Sequence, residues 1–502
     1  MTPTLYRGAA AEASEQLGRA HEFAFVLAVV LCRLLAIHSF HVYDDAFITY
    51  RYAQNLAAGH GLVFNPGAAW EPVLGTTTPG YALLIAAACV VGLQPVPAAL
   101  ALNTLCDAVS ALLLLRLLRA RPIAAVVAAL AFAVIPEIGR ISVGGMEPPL
   151  FVMLALGAAL AAERKRLDVA GWLAALDCTV RPEAVMLVGL LALLYVRSWR
   201  DARRYFGPVL VVGVLASATL WIAYGHPIPQ SVRAKAGAHG LGPHLDRMSA
   251  ILAQGLGPSP AMRVVFPLAA LGFVLAIVCH APVRPFVLFG LSIVAAYCAV
   301  GVKTWGWYFY VPLTAWCAAL GIGTDGVFEF VGRAKPAWKL DHMSSGASLT
   351  IAAIVVGSFA GFTRLYPDRV SLAVYAPMQA WIREEGLDRS DATVIASDIG
   401  ALGYFSGARI LDSEGLVWPE ARRYARQVEV IKSYRPDYVM LVVNRSRIPP
   451  FRSDPIYEEY EPLRRFTLTY DSNLEPQDAA LPTWWEQDYI VYRRRDFRRK
   501  TE

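Results

Sequence analysis

Residues 22–52 read EFAFVLAVVLCRLLAIHSFHVYDDAFITYRY. Between Phe23 and Ile37 the stretch is apolar, with Arg33 as the exception. With its flanks, at about 22–40, the run approaches the roughly 20 residues a helix needs to cross the hydrocarbon core of a bilayer. It lacks a clean small-residue cleavage site, so it reads as a retained span and not as a removed signal peptide. Two adjacent carboxylates, Asp44 and Asp45, follow at once. Carboxylates are expensive beside hydrocarbon, so their place directly after a span asks for an explanation.

The rest of the chain repeats the apolar theme. Of 502 residues, 56% are hydrophobic and 17% are charged, against about 25% charged in an average soluble protein. Mean hydropathy is +0.43. These values exclude a soluble enzyme, a disordered chain and a fibrous one, and point to a multi-spanning membrane protein. The net charge of +6 comes from short basic clusters between apolar runs. No basic face interleaved with aromatics is present, so nucleic acid is not a partner. None of the seven cysteines lies after Cys317, and no pair has metal-ligand or redox spacing. They read as small core residues, and the tail must hold itself together by a core.

Apolar stretches fall at about 22–40, 98–118, 122–138, 148–162, 169–181, 183–196, 207–224, 262–280, 284–301, 307–325 and 347–364. The fold expected is therefore mainly α: a polytopic membrane helix bundle of about 11 spans plus outer juxtamembrane helices. Basic clusters at 116–121, 164–166, 197–204, 284 and 333–339 are assigned to the cytoplasm. This parity requires the run 79–95, bounded by Pro79 and Pro95, to lie on the outer face as an amphipathic or re-entrant helix; a twelfth span is the alternative. The chain then divides into a cytoplasmic N-terminus (1–21), a transmembrane module (22–364, with 41–97 as first outer loop) and an extracytoplasmic domain (365–502). The protein is placed in the cell (inner) membrane, with its polar loops converging on the outer side.

From about 366 charges become frequent and apolar runs shorten. Residues 391–444 read strand, turn, strand, helix, strand, with a helix over Glu420–Tyr434 closed by Pro436 and strands at Val394–Ala396 and Tyr438–Val443. Alternation of β and α predicts a small α/β layer domain. Asp398-Ile399-Gly400 after a strand reads as a structural turn or as a sugar or phosphate contact.

Several outer residues carry groups suited to chemistry. Asp44 can cap a helix starting near Ala46; a cap needs one carboxylate, and the second leaves room for a general base, a metal ligand or a hydroxyl binder. Tyr43, Arg51, His60, Asn65, Glu71 and Thr77 bring hydroxyl, amide and charged groups to the same loop, as sugar contacts or as ordinary loop residues. Glu147, in Gly144-Gly145-Met146-Glu147-Pro148, is favoured at a helix start by the dipole alone. Arg181, Arg233, Lys235 and Lys303 are cations on the predicted outer side, with Trp305 and Tyr308 nearby. They suit an anionic lipid head group or an interfacial anchor.

The block Asp44-Asp45-Ala46-Phe47-Ile48-Thr49-Tyr50-Arg51-Tyr52, followed by Gly61-Leu62-Val63-Phe64-Asn65, resembles the opening of one group of GT-C glycosyltransferases. So do Gly144–Glu147, Thr179–Glu183, Pro227–Gln230, Lys235–Gly237, Trp307-Tyr308 and Asp398–Tyr404. The group uses polyprenyl-phosphate sugars and includes the mycobacterial terminal arabinofuranosyltransferase; protein O-mannosyltransferases and lipid A aminoarabinose transferases are more distant. The resemblance implies an inverting transfer of a sugar, arabinofuranose or a hexose such as mannose, to a hydroxyl of a cell-envelope glycan, lipid or protein. It implies Asp44 or Asp45 as base, Glu147 as a second carboxylate, and Arg181, Arg233, Lys235 and Lys303 around the leaving phosphate. Tyr43, Arg51, His60, Asn65, Glu71, Thr77, Trp305, Tyr308 and Asp398 are the sugar or acceptor contacts. No cofactor is required, although Asp44, Asp45 and Glu147 are the residues that would hold a divalent metal. The competing reading is a transporter of polyprenyl-linked sugars.

Overall fold

The computed structural model describes residues 19–68, 70, 72–231, 260–279, 281–300, 305–334, 371–389, 391–444, 450–467 and 487–497. The expected span 347–364, most of the expected outer loop 225–261, and Glu71, Arg233, Lys235 and Lys303 lie outside these residues. The chain divides into two compact units. One comprises 1–40, 99–216 and 236–364; the other comprises 41–98, 217–235 and 365–502. The expected first outer loop thus packs with the C-terminal domain, whereas the sequence boundaries grouped it with the membrane helices.

The first unit is a helix bundle, as expected. Pro95–Leu117, Trp199–Tyr224 and Gly306–Gly332 are each long and apolar enough to cross a membrane. Pro148–Glu163, Ala184–Tyr195, Val265–Val278 and Arg284–Ala299 are shorter apolar helices. Proline opens many of these helices, among them those at Pro122, Pro136 and Pro148. At a first helical position its missing N–H costs nothing and its fixed φ is already helical. Within the bundle small residues let backbones touch: a Cβ on Gly321 would collide with the Ala124 backbone, and one on Gly323 with that of Leu268. This close approach replaces the hydrophobic drive that lipid cannot supply.

The predicted span 122–138 is broken. Pro122–Val134 and Pro136–Val143 meet at 56°, because Pro136 has no N–H to offer the carbonyl one turn back. Arg33, wholly buried, covers the break. Its Nη2 donates to the Phe132 carbonyl at 3.0 Å and its Nη1 to that of Ala133 at 2.9 Å. Its Nε meets Asp107 Oδ2 at 2.6 Å, and Tyr310 donates to Asp107 Oδ1 at 2.6 Å. The arginine that looked out of place in the first apolar run thus caps a kink.

The second unit carries a five-stranded sheet of order β2-β1-β3-β5-β4. The strands are β1 (Thr393–Ala396), β2 (Arg409–Asp412), β3 (Tyr438–Asn444), β4 (Tyr460–Thr467) and β5 (Gln487–Arg494). β1 runs parallel to β2 and β3; β5 pairs antiparallel with β3 and β4. The expected α/β layer is present, but its helix is shorter than predicted, Gln427–Tyr434, preceded by a 3₁₀ turn at Pro419–Arg423. The fourth and fifth strands were not foreseen. Pro79–Val90, in this unit, has 12 residues, about 18 Å at 1.5 Å per residue, which is short of a bilayer core.

Asp412 ends β2 and ties the following turn, accepting from the N–H groups of Glu414 at 2.8 Å, Val417 at 2.9 Å and Leu416. Burial raises its carboxyl from 3.8 to about 6 against the pull of those donors. The native state therefore holds the proton more tightly than the unfolded chain. This contribution to stability is present below about pH 4 and is lost as pH rises to about 6. Thermal unfolding of wild type and Asp412→Asn over that range is expected to show the wild-type advantage shrinking with pH. A constant or growing difference contradicts this account.

Candidate functional site

Two clusters gather most of the described candidate residues. The first lies in the unit that carries the sheet. Asp44 begins the helix Asp44–Ala57. Its Oδ1 accepts from Ala401 N at 2.8 Å and its Oδ2 from Gly400 N at 2.9 Å. These N–H groups open the short helix Gly400–Phe405, so a carboxylate there answers the helix dipole. Gly400 permits the approach: a Cβ at this position would strike the Asp44 carbonyl and Oδ2.

Arg51 lies seven residues on, almost two full turns, and so on the same helix face as Asp44. Its Nε donates to Phe64 O at 2.6 Å, its Nη2 to Ala408 O at 2.8 Å, and its Nη1 to Gly403 O. Its guanidinium lies 4.5 Å from the Phe64 ring centroid. A Cβ on Gly403 would meet that ring at 2.6 Å. The loop helix thus grips the short helix twice, with an acid at its N–H end and a base at its carbonyl end.

Asp398 precedes this helix and accepts from Tyr489 Oη at 2.9 Å. Desolvation first, and the Asp398 charge second, push the Asp44 carboxyl from 3.8 to about 7, against the two backbone donors. Asp44 keeps partial exposure, so a ligand can reach it. A partly buried, perturbed carboxylate of this kind is a functional-site signature. Asp45 follows on the helix, about 100° around it.

The remaining loop candidates are distributed differently. Asn65 forms a two-way bond with Ile410, Nδ2 to O at 3.0 Å and N to Oδ1 at 2.9 Å. It acts as a one-residue strand on the β2 edge, which would otherwise present unpaired groups. Thr76 and Thr78 are buried in a hydroxyl chain with Thr49, at 3.1 and 3.0 Å, while Thr77 is half-buried. Tyr43 is buried beside the His41 ring, 5.9 Å away. His60 is exposed and lines a cavity of about 180 Å³ with Asn65 and Trp70.

The second cluster lies in the helix bundle. Arg181, between two helices, donates from Nη1 to Glu147 Oε1 at 2.5 Å and from Nη2 to Glu183 Oε1 at 2.7 Å. Tyr297 Oη also donates to Glu183 Oε1, at 2.5 Å. The guanidinium lies 4.7 Å from the Tyr308 ring centroid, and Trp305 stacks on Trp307. Glu147, Arg181 and Tyr308, all singled out in the sequence, therefore meet. Arg181 is already offset by two carboxylates, however, so it orients Glu147 and Glu183 and offers a phosphate little net charge. Asn103 fixes the same turn, donating to Ser142 O at 2.9 Å and Met146 O at 2.8 Å.

Sequence reasoning missed Asn103, Asp107, Asp177, Glu183 and Tyr297 as partners. Asp177 is wholly buried one turn before Arg181, and neither of its oxygens has a hydrogen-bond partner among the described residues. A signal was present for the acids: Asp107 and Asp177 each interrupt an apolar run, and ionisable residues there are rarely incidental. Among the described residues no group of three or more His, Cys, Asp or Glu side chains is placed to hold a metal ion. Asp44 accepts from backbone N–H groups and Glu147 from Arg181.

A family profile described as "Domain of unknown function (DUF8728)" matches residues 366–492, which is the sheet domain. No curated protein matches the chain. Solved structures do. ArnT from Cupriavidus metallidurans in the apo state is similar over 93% of this chain and 97% of its own, with a TM-score of 0.58 and 13% identity. The structure of ArnT from the same organism bound to undecaprenyl phosphate gives the same coverage and identity, with a TM-score of 0.57. Neither match bears on the resemblance to the mycobacterial arabinofuranosyltransferase group. At this identity the likeness speaks for the fold alone, a helix bundle with a small C-terminal sheet domain.

Proposed function

We propose that this chain is a glycosyltransferase that takes a sugar from polyprenyl phosphate and passes it, with inversion, to a hydroxyl of a cell-envelope acceptor. It works in the cell membrane, with its reaction on the extracytoplasmic side. The observation that carries the reading is Asp44: a carboxylate oriented by two backbone N–H groups and poised near neutrality at the start of the first outer loop. The fold it shares with a protein solved with undecaprenyl phosphate supports the donor class.

The chemistry follows from these groups. Asp44 takes the proton of the acceptor hydroxyl, and the oxygen attacks the anomeric carbon. The bond from that carbon to the phosphate oxygen breaks, and polyprenyl phosphate leaves with the bonding electrons. A phosphate monoester is a stable anion, so it needs cations around it and no general acid. That role falls to Arg233, Lys235 and Lys303, because Arg181 is committed to Glu147 and Glu183. Glu147, held by Arg181, is the second carboxylate of this reading, and arabinofuranose or a hexose is the sugar moved.

Proteoliposomes supplied with a panel of polyprenyl-phosphate sugars test this reading. One donor is expected to release polyprenyl phosphate and to yield product of inverted anomeric configuration. Because the base must be ionised, kcat/KM is expected to rise with pH through an apparent pKa near 7 and to level off above it. A profile flat from pH 5 to 8 removes Asp44 from the role of base.

A further inference from the structure

The Gly400–Phe405 helix lies in a stretch whose own composition argues against a helix. Two of its six residues are glycine, and each glycine in a helix interior costs about 1 kcal/mol relative to alanine. It is held in place by the loop helix instead. Asp44 takes its first N–H groups, Arg51 takes the Gly403 and Ala408 carbonyls, and both glycines sit where a Cβ would collide with the loop. Phe47 fills the space between the grips, 5.1 Å from the Tyr404 ring and 5.4 Å from that of Phe405. The contact works in both directions: the short helix is formed by the loop, and the Asp44 carboxylate is aimed by the short helix.

We propose that the Gly400–Phe405 helix is the positioning element for the Asp44 carboxylate, with Gly400 and Arg51 as positioning residues of the transfer reaction. The sheet domain then supplies part of the catalytic centre and is more than an acceptor-binding module. The inference rests on the reading of Asp44 as base. A displacement of about 1 Å at a reacting group costs on the order of 100-fold in rate. Gly400→Ala forces at least that displacement, since the methyl must occupy space held by Asp44 backbone and side chain. Gly189, with nothing within 4 Å of its Cβ position, serves as the control.

The experiment uses the full chain in proteoliposomes. Gly400→Ala is expected to lower kcat about 100-fold with donor KM within about twofold, and Gly189→Ala is expected to leave both unchanged. In an Asp44→Asn background, adding Gly400→Ala is expected to cost almost nothing further, because no base is left there to position. General misfolding would instead lower the residual rate again and raise KM. A second readout needs no activity: modification of Asp44 by a carboxyl-selective carbodiimide, followed by mass spectrometry. Labelling of Asp44 is expected to rise several-fold in Gly400→Ala and in Arg51→Lys relative to wild type and Gly189→Ala. Unchanged labelling in both, or full multiplicativity of the two mutations, overturns the proposal. Altered labelling in a protein that releases no polyprenyl phosphate keeps the joint and discards the transferase reading.

Discussion

Asp44→Asn is expected to lower polyprenyl-phosphate release by about 10²–10⁴-fold, the usual contribution of a general base. The amide is almost the same size as the carboxylate, and its oxygen can still accept one of the two backbone N–H bonds. Its nitrogen must then face the other N–H, which has a modest structural cost. The large loss is chemical, because an amide has no basicity to offer. Donor binding is expected to persist, since the cations assigned to the phosphate are other residues. Asp45→Asn is the comparison. Asp45 sits about 100° around the helix from Asp44, so a loss confined to Asp44→Asn identifies the base by orientation. Equal losses in both would mean that the pair acts as a unit, and an active Asp44→Asn would leave the Gly400 and Ala401 contact as a purely structural cap.

The second large effect concerns stability. Asp107→Leu is expected to destabilise the bundle by about 3–5 kcal/mol, because it strands a wholly buried guanidinium. Arg33→Leu strands the Asp107 carboxylate with Tyr310 as a remaining donor, and it frees the carbonyls of Phe132 and Ala133 at the Pro136 break. A buried acceptor left unpaired costs about 1–3 kcal/mol. The double variant Arg33→Leu, Asp107→Leu is expected to recover most of the charge penalty while keeping the carbonyl penalty. It should therefore unfold at a denaturant concentration above that of Asp107→Leu and below wild type. Additive losses in the double variant would show that Arg33 and Asp107 act independently and that the kink does not depend on the pair.

How far the sequence reaches is clear from particular residues. The described apolar runs were found because their period and length are properties of the string itself. Arg33 also stood out there, but its purpose did not: it depends on a break 100 residues away, at Pro136, inside a stretch read as one continuous span. The β1 and β3 strands were legible as short buried runs. The Gly400–Phe405 helix was read as turns, because glycine at 400, 403 and 407 is turn chemistry by local rules. Tertiary contact with Asp44 and Arg51 overrode that preference. β4 and β5 escaped notice because charged residues punctuate them, as suits a sheet with a solvated face.

The candidate site shows the same division. Asp44, Glu147, Arg181 and Asp398 were named from chemistry and position. Their neighbours could not be named. Arg51 and Asn65 looked like sugar ligands because arginine and asparagine often are; in the fold their polar atoms go to backbone groups at 403, 408 and 410. Arg181 looked like an open cation because the sequence does not show which carboxylates close on it. Glu147, 34 residues away, closes the other side. Which polar group is satisfied by the fold and which is left for a ligand is a question of three-dimensional pairing, and spacing alone does not answer it.

The central claim is transfer, and one measurement addresses it most directly. Wild-type protein and Asp44→Asn are reconstituted with a radiolabelled polyprenyl-phosphate sugar, and free polyprenyl phosphate and labelled acceptor are followed together. Wild type is expected to release one polyprenyl phosphate for each sugar gained by acceptor, and Asp44→Asn to release almost none while still binding the donor. Movement of intact donor between leaflets, without release and undiminished in Asp44→Asn, would contradict the account and make the protein a carrier of the same lipid.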